Sequence, residues 1–222
     1  MNATPDPGSP VDAGLMRRWL DLAATAVDRE SEHLSELDSP IGDADHGGNM
    51  RRGFVAARTA VEQEPPDTPG GVLVLVGRTL ISTVGGASGP LYGTLLRRAG
   101  KDLGDEPAVP AARLRDALRV GVDAVAQLGG AAPGDKTMLD ALLPALDALT
   151  GALDAGGSAA EAFAAAAQAA DDGAKATIPL RARKGRASYL GERSVGHQDP
   201  GATSAALLVT ALADAARTGE DA

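Results

Sequence analysis

The stretch AARLRDALRVGVDAVAQLGG, residues 111–130, decides the fold class of this 222-residue chain. Its large apolar residues recur every three or four positions, as on one face of an amphipathic helix, namely Leu114, Leu118, Val122 and Val125. The closing glycine pair is a usual helix stop. Hydrophobic residues make up 44% of the chain but aromatic residues only 2%, so the core must consist mainly of Ala, Leu and Val. Since Ala and Leu are strong helix formers, the sequence predicts an all-α protein.

The same periodicity and helix breakers mark eight helices along the chain. They are predicted at about residues 11–36, 48–63, 72–84, 91–101, 111–128, 137–153, 159–176 and 201–217. Because short connections make consecutive helices antiparallel, we expect an eight-helix antiparallel up-and-down bundle or barrel. We expect one domain over residues 11–217, flanked by disordered tails at residues 1–10 and 218–222.

Four of the seven connections between these helices combine glycine with functional polar groups. They cover residues 38–49, 85–90, 129–138 and 181–200, whereas the other three contain ordinary turn residues. Alternation of antiparallel helices places all four unusual loops at the same end of the bundle. The sequence therefore predicts a functional site at that end.

The first of these loops lies in the motif LDSPIGDADHGGNM, residues 37–50. Asp38, Asp43 and Asp45 place three carboxylates within eight residues, which suits a hard divalent cation such as Mg²⁺. The alternative is a solvated acidic turn in which Asp38 caps a helix. His46 and Asn49 follow at once, either as ligand contacts or as ordinary residues of a helix start.

The second loop lies in VGGASGPLYGT, residues 84–94, where glycines and Ser88 precede a helix. Such a turn presents free backbone N–H groups that suit a phosphate, although tight helix packing would also explain the glycines. It is not a Walker A loop, because no Gly-Lys-Ser/Thr follows. The third, PGDKTMLDAL at residues 133–142, has Met138 and Leu139 as apolar cover for a base or as core residues.

The fourth loop lies in RARKGRASYLGERSVGHQDPGATS, residues 181–204, and is locally basic. Between residues 181 and 193 it has five basic side chains against the single Glu192. A basic segment on an acidic protein favours contact with a phosphate or an acidic partner over a merely solvated surface. Its end, from Asp199 to Ser204, has the pattern of a helix start. Carboxylates, N–H donors, apolar cover and basic groups are together the components of a Mg²⁺–nucleotide site.

Charge and composition exclude several other classes of function. Acidic residues outnumber basic ones 30 to 21, a formal net charge of −9, so we expect no nucleic-acid partner. The absence of cysteine excludes disulfides, thiolate metal sites and cysteine nucleophiles. No apolar run reaches the roughly 18 residues of a membrane span, and the polar residues 1–10 do not resemble a signal peptide. We therefore expect no membrane partner and a cytoplasmic location.

The four loop motifs, in this order, resemble the nucleotide-binding L subunits of dihydroxyacetone kinase (the DhaL family). The resemblance runs from about Val11 to Arg217. It implies an eight-helix antiparallel barrel with ADP at one end, which agrees with the expectation from helix alternation. It also implies that Asp38, Asp43 and Asp45 hold two Mg²⁺ ions on the nucleotide phosphates.

The resemblance implies further contacts to ADP or ATP in each motif. They are His46, Gly47 and Asn49 after the carboxylates, Gly86, Ala87 and Ser88 at the phosphates, Gly130, Met138 and Leu139 around adenine and ribose, and Arg186, Asp199, Pro200 and Gly201 in a lid. No residue of this chain is expected to act as a catalytic acid or base, since the sugar would be held on a partner.

The activity implied by the resemblance is that of a phosphoenolpyruvate-dependent dihydroxyacetone kinase subunit. Tightly bound ADP would accept a phosphoryl group from a phosphohistidine on an M subunit, and the ATP formed would phosphorylate dihydroxyacetone on a K subunit. A homodimer is a further expected partner. Two alternatives stay open: the L subunit of an ATP-dependent kinase for dihydroxyacetone or another sugar or polyol, and a nucleotide-dependent regulatory module. A purely structural bundle would leave the four loops unexplained.

Overall fold

The computed structural model describes residues 10–220, except for the side chains of residues 219 and 220. Its dominant helical content confirms the predicted all-α class. The helices of this part are α1 (Ala13–Arg29), α2 (Ser31–Asp38), α3 (His46–Gln63), α4 (Pro69–Thr83), α5 (Ser88–Leu103), α6 (Ala111–Gly129), α7 (Leu139–Asp154), α8 (Ala159–Ala176) and α9 (Pro200–Glu220). A 3₁₀ segment, Arg186–Ser194, lies between α8 and α9. Two short strands, β1 (Val11–Asp12) and β2 (Ala108–Val109), pair antiparallel.

Each of the eight predicted helices is present, but the first prediction needs a correction. The segment predicted as one helix over residues 11–36 forms α1 and α2, which meet at Glu30. At this break the Ser31 hydroxyl donates to the Asp28 carbonyl at 2.9 Å and so competes with the regular helical pattern. The start of α4 is three residues earlier than expected, because Thr68 caps the helix and Pro69 fits its first turn.

The C-terminal boundary expected at residue 217 is also too early. Helix α9 continues to Glu220, so residues 218–220 are helical rather than a disordered tail. The remaining tail residues of that prediction, 1–9 and 221–222, lie outside the described residues. The pairing of β1 with β2 and the 3₁₀ segment were not predicted, since both are too short to leave a periodic signal.

The helices pack in chain order, and α9 packs on α1, which closes the ring. The contact between α4 and α5 illustrates the antiparallel arrangement. Gly70 in the first turn of α4 lies against the Gly104 carbonyl after α5, while Gly77 in the middle of α4 lies against the carbonyl of Gly93. A Cβ on Gly77 would be 2.8 Å from that oxygen, so glycine permits this close approach.

The interior of the ring is filled mostly by Leu, Ala and Val side chains, together with the buried aromatic residues Trp19, Phe54, Tyr92 and Phe163. None of the helices within residues 10–220 combines the length and apolar character that crossing a membrane requires. Because the helices alternate, α3, α5, α7 and α9 all begin at one end of the ring. We call this end the open end and the other the closed end.

Candidate nucleotide site

A cleft of about 430 Å³ lies at the open end. It is lined by residues from all four unusual loops, which alternation predicted to meet there. A volume of this size is within the range of small-molecule sites, about 300 to 1,000 Å³. Most of the residues implied by the resemblance line it, namely Asp38, Asp43, Asp45, His46, Asn49, Gly86, Ala87, Ser88, Met138, Leu139, Arg186, Asp199, Pro200 and Gly201.

One side of the cleft is a cluster of three carboxylates. One oxygen each from Asp38, Asp43 and Asp45 lie within 4.8 Å of one another. Asp38 is buried at the end of α2, where its Oδ2 accepts hydrogen bonds from the backbone N–H groups of Asp45 (3.0 Å) and His46 (3.3 Å). These bonds fold the loop back on α2 and bring the two exposed carboxylates beside the buried one.

Ala44, between Asp43 and Asp45, has a left-handed backbone with φ of 59°. A non-glycine residue in this region is strained, and strain of this kind persists where the surrounding structure imposes it. Arg186 places its Nη1 3.0 Å from Asp43 Oδ2. A cationic group therefore already lies against the cluster, and three converging hard oxygen donors have the chemistry that Mg²⁺ prefers.

Opposite the carboxylates, the turn Gly85–Ala87 leads into α5. Gly86 has φ of 65° and open space where a side chain would be, and the residue before the helix, Ala87, makes no side-chain cap. The first N–H groups of a helix have no intrahelical acceptor. At the start of α5 they face the cleft together with the half-buried Ser88, an arrangement that suits an anionic group.

His46 links the first turns of three helices. Its Nδ1 lies 3.2 Å from Ser88 Oγ at the start of α5, and its Nε2 lies 2.9 Å from Ser204 Oγ on α9. Ser204 Oγ in turn is 2.7 Å from the hydroxyl of Tyr92. Burial lowers the pKa of His46, although Asp38 and Asp45 oppose this effect. The imidazole is part of a chain of hydrogen-bonded side chains that runs from Ser88 to Tyr92.

An apolar wall of the cleft lies around the loop between α6 and α7. It is formed by side chains of this loop and of neighbouring helices, namely Leu91, Val125, Leu128, Met138 and Leu139. Lys136 in the same loop is 2% exposed and has φ of 64°. Its Nζ donates to the carbonyl oxygens of Thr177 (2.8 Å), Leu180 (3.1 Å) and His197. Lys136 thereby ties both ends of the basic segment to this loop, so that Lys184 and Arg186 line the cleft.

Asp199 caps the start of α9, where its Oδ2 accepts from the backbone N–H of Ala202 at 2.7 Å. Burial raises its pKa to about 7, against the opposing effects of that hydrogen bond and of Lys136. Burial also lowers the pKa of Lys136, while Asp199 raises it. The two buried groups thus interact electrostatically, and both are among the residues that line the cleft.

Two residues of the predicted set do not line the cleft. Gly47 faces α2, and a Cβ on it would overlap the carbonyl oxygen of Ser31, so glycine there permits the packing of α3 on α2. Gly130 follows α6 in a left-handed conformation, φ of 56°, and its N–H bonds back to the helix. Its neighbours Gly129 and Ala131 line the cleft instead.

The sequence reasoning missed Tyr92, Lys136 and Ser204. Tyr92 follows Ser88 by four residues, which places both on the same face of α5. Lys136 is the only basic residue in the motif PGDKTMLDAL, and Ser204 closes the motif DPGATS. These were the available signals, but none of them indicated a contact partner.

The sequence-family model of the DAK2 domain matches residues 40–214 of this chain. The chain is 44% identical over 199 residues to "PEP-dependent dihydroxyacetone kinase, ADP-binding subunit DhaL" of Escherichia coli (strain K12), covering 90% of this chain and 95% of that protein. It is 42% identical over 208 residues to "D-erythrulose kinase" of Mycolicibacterium smegmatis, covering 91% of this chain but 35% of that longer protein.

Among solved structures, the dihydroxyacetone kinase of C. freundii in complex with AMP-PNP and Mg²⁺ matches with a TM-score of 0.70 at 26% identity. The match covers 96% of this chain and 36% of that one. The sequence match over most of the chain and the shared all-helical fold agree with each other. The chain therefore belongs to the DAK2-domain family, together with the ADP-binding L subunits of dihydroxyacetone kinase.

Proposed function

We propose that this protein is the ADP-binding subunit of a phosphoenolpyruvate-dependent dihydroxyacetone kinase, acting in the cytoplasm. The observation that carries the proposal is the position of three clustered carboxylates across one cleft from the uncapped start of α5. The identity to the E. coli subunit over nearly the full length of both chains supports it.

The chain's own groups are suited to binding and orienting a nucleotide. Asp38, Asp43 and Asp45 would hold the metal, as the two Mg²⁺ ions that the family resemblance implies. The N–H groups at the start of α5 and the Ser88 hydroxyl would bind phosphate oxygens. Arg186 is placed to neutralise charge on a phosphoryl group, and the wall around Met138 would cover the base.

When bound, ADP would supply the transfer chemistry, by carrying a phosphoryl group between a phosphohistidine of an M subunit and dihydroxyacetone on a K subunit. Arg186 changes partners in this scheme. In the structure it pairs with Asp43, and when a phosphoryl group is present it would turn to that group. No acid or base from this chain is required, since the sugar hydroxyl lies on the partner.

A second candidate has support from one specific comparison. The identity to D-erythrulose kinase, 42% over 208 residues, favours a kinase subunit for a different keto sugar with ATP as the donor. The two candidates share the nucleotide site and differ in the phosphoryl donor and the sugar, which both reside outside this chain.

The first experiment identifies what the purified protein retains. After extensive desalting, the protein is denatured, released nucleotide is identified by chromatography, and magnesium is counted by atomic emission. ADP and Mg²⁺ at a fixed ratio to protein support the bound-coenzyme function. Empty protein that binds added ATP reversibly favours the ATP-dependent kinase, and protein that binds neither refutes both.

A second experiment separates the sugar and the donor. The loaded protein is mixed with a dihydroxyacetone-binding K subunit and either a phosphorylated M subunit or free ATP. Dihydroxyacetone and erythrulose are offered in parallel, and sugar phosphate is measured. Turnover of dihydroxyacetone with the phosphoprotein alone supports the proposal, whereas turnover with ATP alone supports the second candidate.

A further inference from the structure

Arg52 on α3 is outside the set of site residues that the sequence predicted, yet its side chain makes two hydrogen bonds beside the cleft. Its Nε donates to the carbonyl oxygen of Thr83 at 3.0 Å, and its Nη2 donates to Asn49 Oδ1 at 2.5 Å. Thr83 is the last residue of α4, where carbonyl groups have no intrahelical partner. The guanidinium therefore joins the first turn of α3 to the end of α4, just before the turn Gly85–Ala87.

The contact with Arg52 fixes the orientation of the Asn49 carboxamide. An asparagine side chain has an oxygen that accepts and a nitrogen that donates, whereas arginine has donors and no acceptor. Rotation of the carboxamide by 180° would place donors of both residues against each other, so Oδ1 must face Arg52. Nδ2 then points away from the guanidinium, and it makes no hydrogen bond within the described part of the chain.

This unpaired donor of Asn49 reaches the cleft. Asn49 is 8% exposed and lines the cleft together with the turn that precedes α5. Among the described residues, Arg97 Nε is the one fully buried side-chain atom without a hydrogen-bond partner, so Asn49 Nδ2 keeps access to solvent. A Cβ on Gly85 would lie 3.0 Å from Oδ1 and 3.3 Å from Nδ2, so glycine there allows the carboxamide to pack directly against the turn.

A donor at this position suits the phosphate side of the proposed nucleotide site. The turn against which the carboxamide packs leads into the uncapped N–H groups of α5 and to Ser88. An anionic oxygen bound there would lie beside Asn49 as well, since both groups line the same cleft. A side chain already held in its binding orientation loses little conformational entropy when the ligand arrives, so a fixed carboxamide binds an oxygen more tightly than a mobile one.

From this geometry we propose that Arg52 is a positioning residue, which holds the Asn49 carboxamide so that Nδ2 donates to a phosphate oxygen of the bound nucleotide. Arg52 is not among the residues that line the cleft, so it acts through Asn49 rather than by touching the ligand. The proposal rests on the proposed nucleotide function, and it assigns to a residue outside the predicted site a defined effect on phosphate affinity.

The first test follows the Asn49 carboxamide in the full-length, ligand-free protein. The chain contains two asparagines, Asn2 and Asn49, so ¹⁵N labelling of asparagine gives two side-chain NH₂ signals, which Asn2→Gln assigns. We expect the heteronuclear NOE of the Asn49 carboxamide to be close to that of the rigid backbone in wild type and clearly lower in Arg52→Met. A carboxamide that is mobile in wild type, or equally rigid in both proteins, overturns the proposal.

The second test is a double-mutant cycle on MgADP affinity, measured by calorimetry. Asn49→Leu removes the donor, keeps a similar side-chain volume against Gly85 and suits a helix better than asparagine. We expect Asn49→Leu and Arg52→Met each to weaken binding by about tenfold, the size of one hydrogen bond to a charged group. If Arg52 acts through Asn49, then Arg52→Met has no further effect in the Asn49→Leu background. Equal losses in the two backgrounds would show that Arg52 acts independently of Asn49, and would contradict the proposal.

The matched control is Arg58→Met. Arg58 lies six residues further along α3 and pairs with Glu62, so the variant removes the same charge without touching Asn49. MgADP affinity and the carboxamide NOE should both stay at their wild-type values. A loss of affinity as large as that of Arg52→Met would mean that positive charge on α3 explains both effects. Wild-type protein that fails to bind MgADP would refute the proposed function, while the NOE of the ligand-free protein would still decide whether Arg52 positions Asn49.

Discussion

The two ends of the helical ring differ in the side-chain capping of their helix N-termini. At the closed end, Asp12, Thr68 and Ser158 cap α1, α4 and α8 by accepting backbone N–H bonds, and Ser158 forms a full capping box with Glu161. The fourth helix start at this end, that of α6, follows Pro110 and has no side-chain cap.

At the open end, the residues before α3, α5 and α7 make no side-chain cap. Asp38 accepts from the first N–H of α3 and Thr137 from that of α7, so the start of α5 is the one without a side-chain acceptor among the described residues. A cap contributes about 1 kcal/mol to stability, so the start of α5 lacks a stabilisation that the starts of α1, α4 and α8 have.

This difference indicates where a ligand binds. Uncapped N–H groups in a helix start are satisfied by water or by a bound anion. The open end also concentrates three carboxylates, which repel one another unless a cation lies between them. Both features lower the stability of the unliganded protein and favour binding of a metal–phosphate group.

The largest expected effect is that of Asp43→Asn. Loss of one carboxylate from the cluster should weaken MgADP binding by about a thousandfold, or ~4 kcal/mol. Stability of the nucleotide-free protein should change little, because the variant removes both a repulsion within the cluster and the exposed ion pair of Asp43 with Arg186. Calorimetric titration and a urea denaturation curve measure the two quantities. The matched control is Asp123→Asn, an exposed carboxylate on α6, and equal effects of the two variants would refute the metal assignment.

The second prediction concerns α9, the exception at the open end, which Asp199 caps. Burial raises the pKa of Asp199 to about 7, so the folded state binds its proton more tightly than the unfolded state. The stabilisation from this bound proton is fully present below the pKa of Asp in the unfolded state, about 3.9, and is lost as pH rises through 7. Relative to Asp199→Asn, nucleotide-free wild type should lose about 2 to 3 kcal/mol of unfolding free energy between pH 5 and pH 8.

Urea denaturation of both proteins at several pH values measures this difference. The subtraction cancels the other titrating groups, among them His46, whose pKa burial lowers. Parallel stability curves for the two proteins would show that Asp199 is charged in the fold across this range.

The third prediction adds a charge at the start of one helix at each end. Ala87→Asp puts a carboxylate at the start of α5, where it should stabilise the helix by about 0.5 kcal/mol and weaken MgADP binding about tenfold. Ala159→Asp adds the same charge at the start of α8 and should give the stabilisation alone. Thermal unfolding and calorimetry measure both effects. If Ala87→Asp leaves MgADP affinity intact, the phosphates do not lie at α5.

The smallest effect is expected at the closed end. Ser158→Ala removes one half of the capping box and should cost about 1 kcal/mol of unfolding free energy with no change in MgADP affinity. Ser158→Asp, which retains a capping oxygen, should restore the stability. A change in affinity would mean that the two ends are energetically coupled.

Much of the fold could be predicted because its signals are local. Helical periodicity located all eight segments, and alternation alone brought the four polar loops to one end. The break between α1 and α2 was missed because it depends on a single hydroxyl, that of Ser31, rather than on a glycine or proline. The cluster of three carboxylates could be predicted because its signal is also local: the three residues lie within a stretch of eight.

The ligand roles of the individual site residues stay predictions, although their placement is known. Gly47 and Gly130 sit in the right motifs, yet one packs on α2 and the other ends α6. A sequence motif specifies which residues are near a site, but not which of them face it. Which residues face the site depends on the backbone conformation of each loop, which the motif alone does not specify.

The helical class, the alternation of the helices and the gathering of the polar loops at one end could be predicted from the amino-acid sequence, because each follows from periodicity and turn chemistry over a few residues. The burial of Lys136 under three carbonyl groups and the chain from Ser88 through His46 and Ser204 to Tyr92 became visible in the folded structure. His46 and Ser204 are separated by 158 residues. Contacts at such separation leave no trace in local spacing, since they arise only when closure of the ring brings α9 against the starts of α3 and α5.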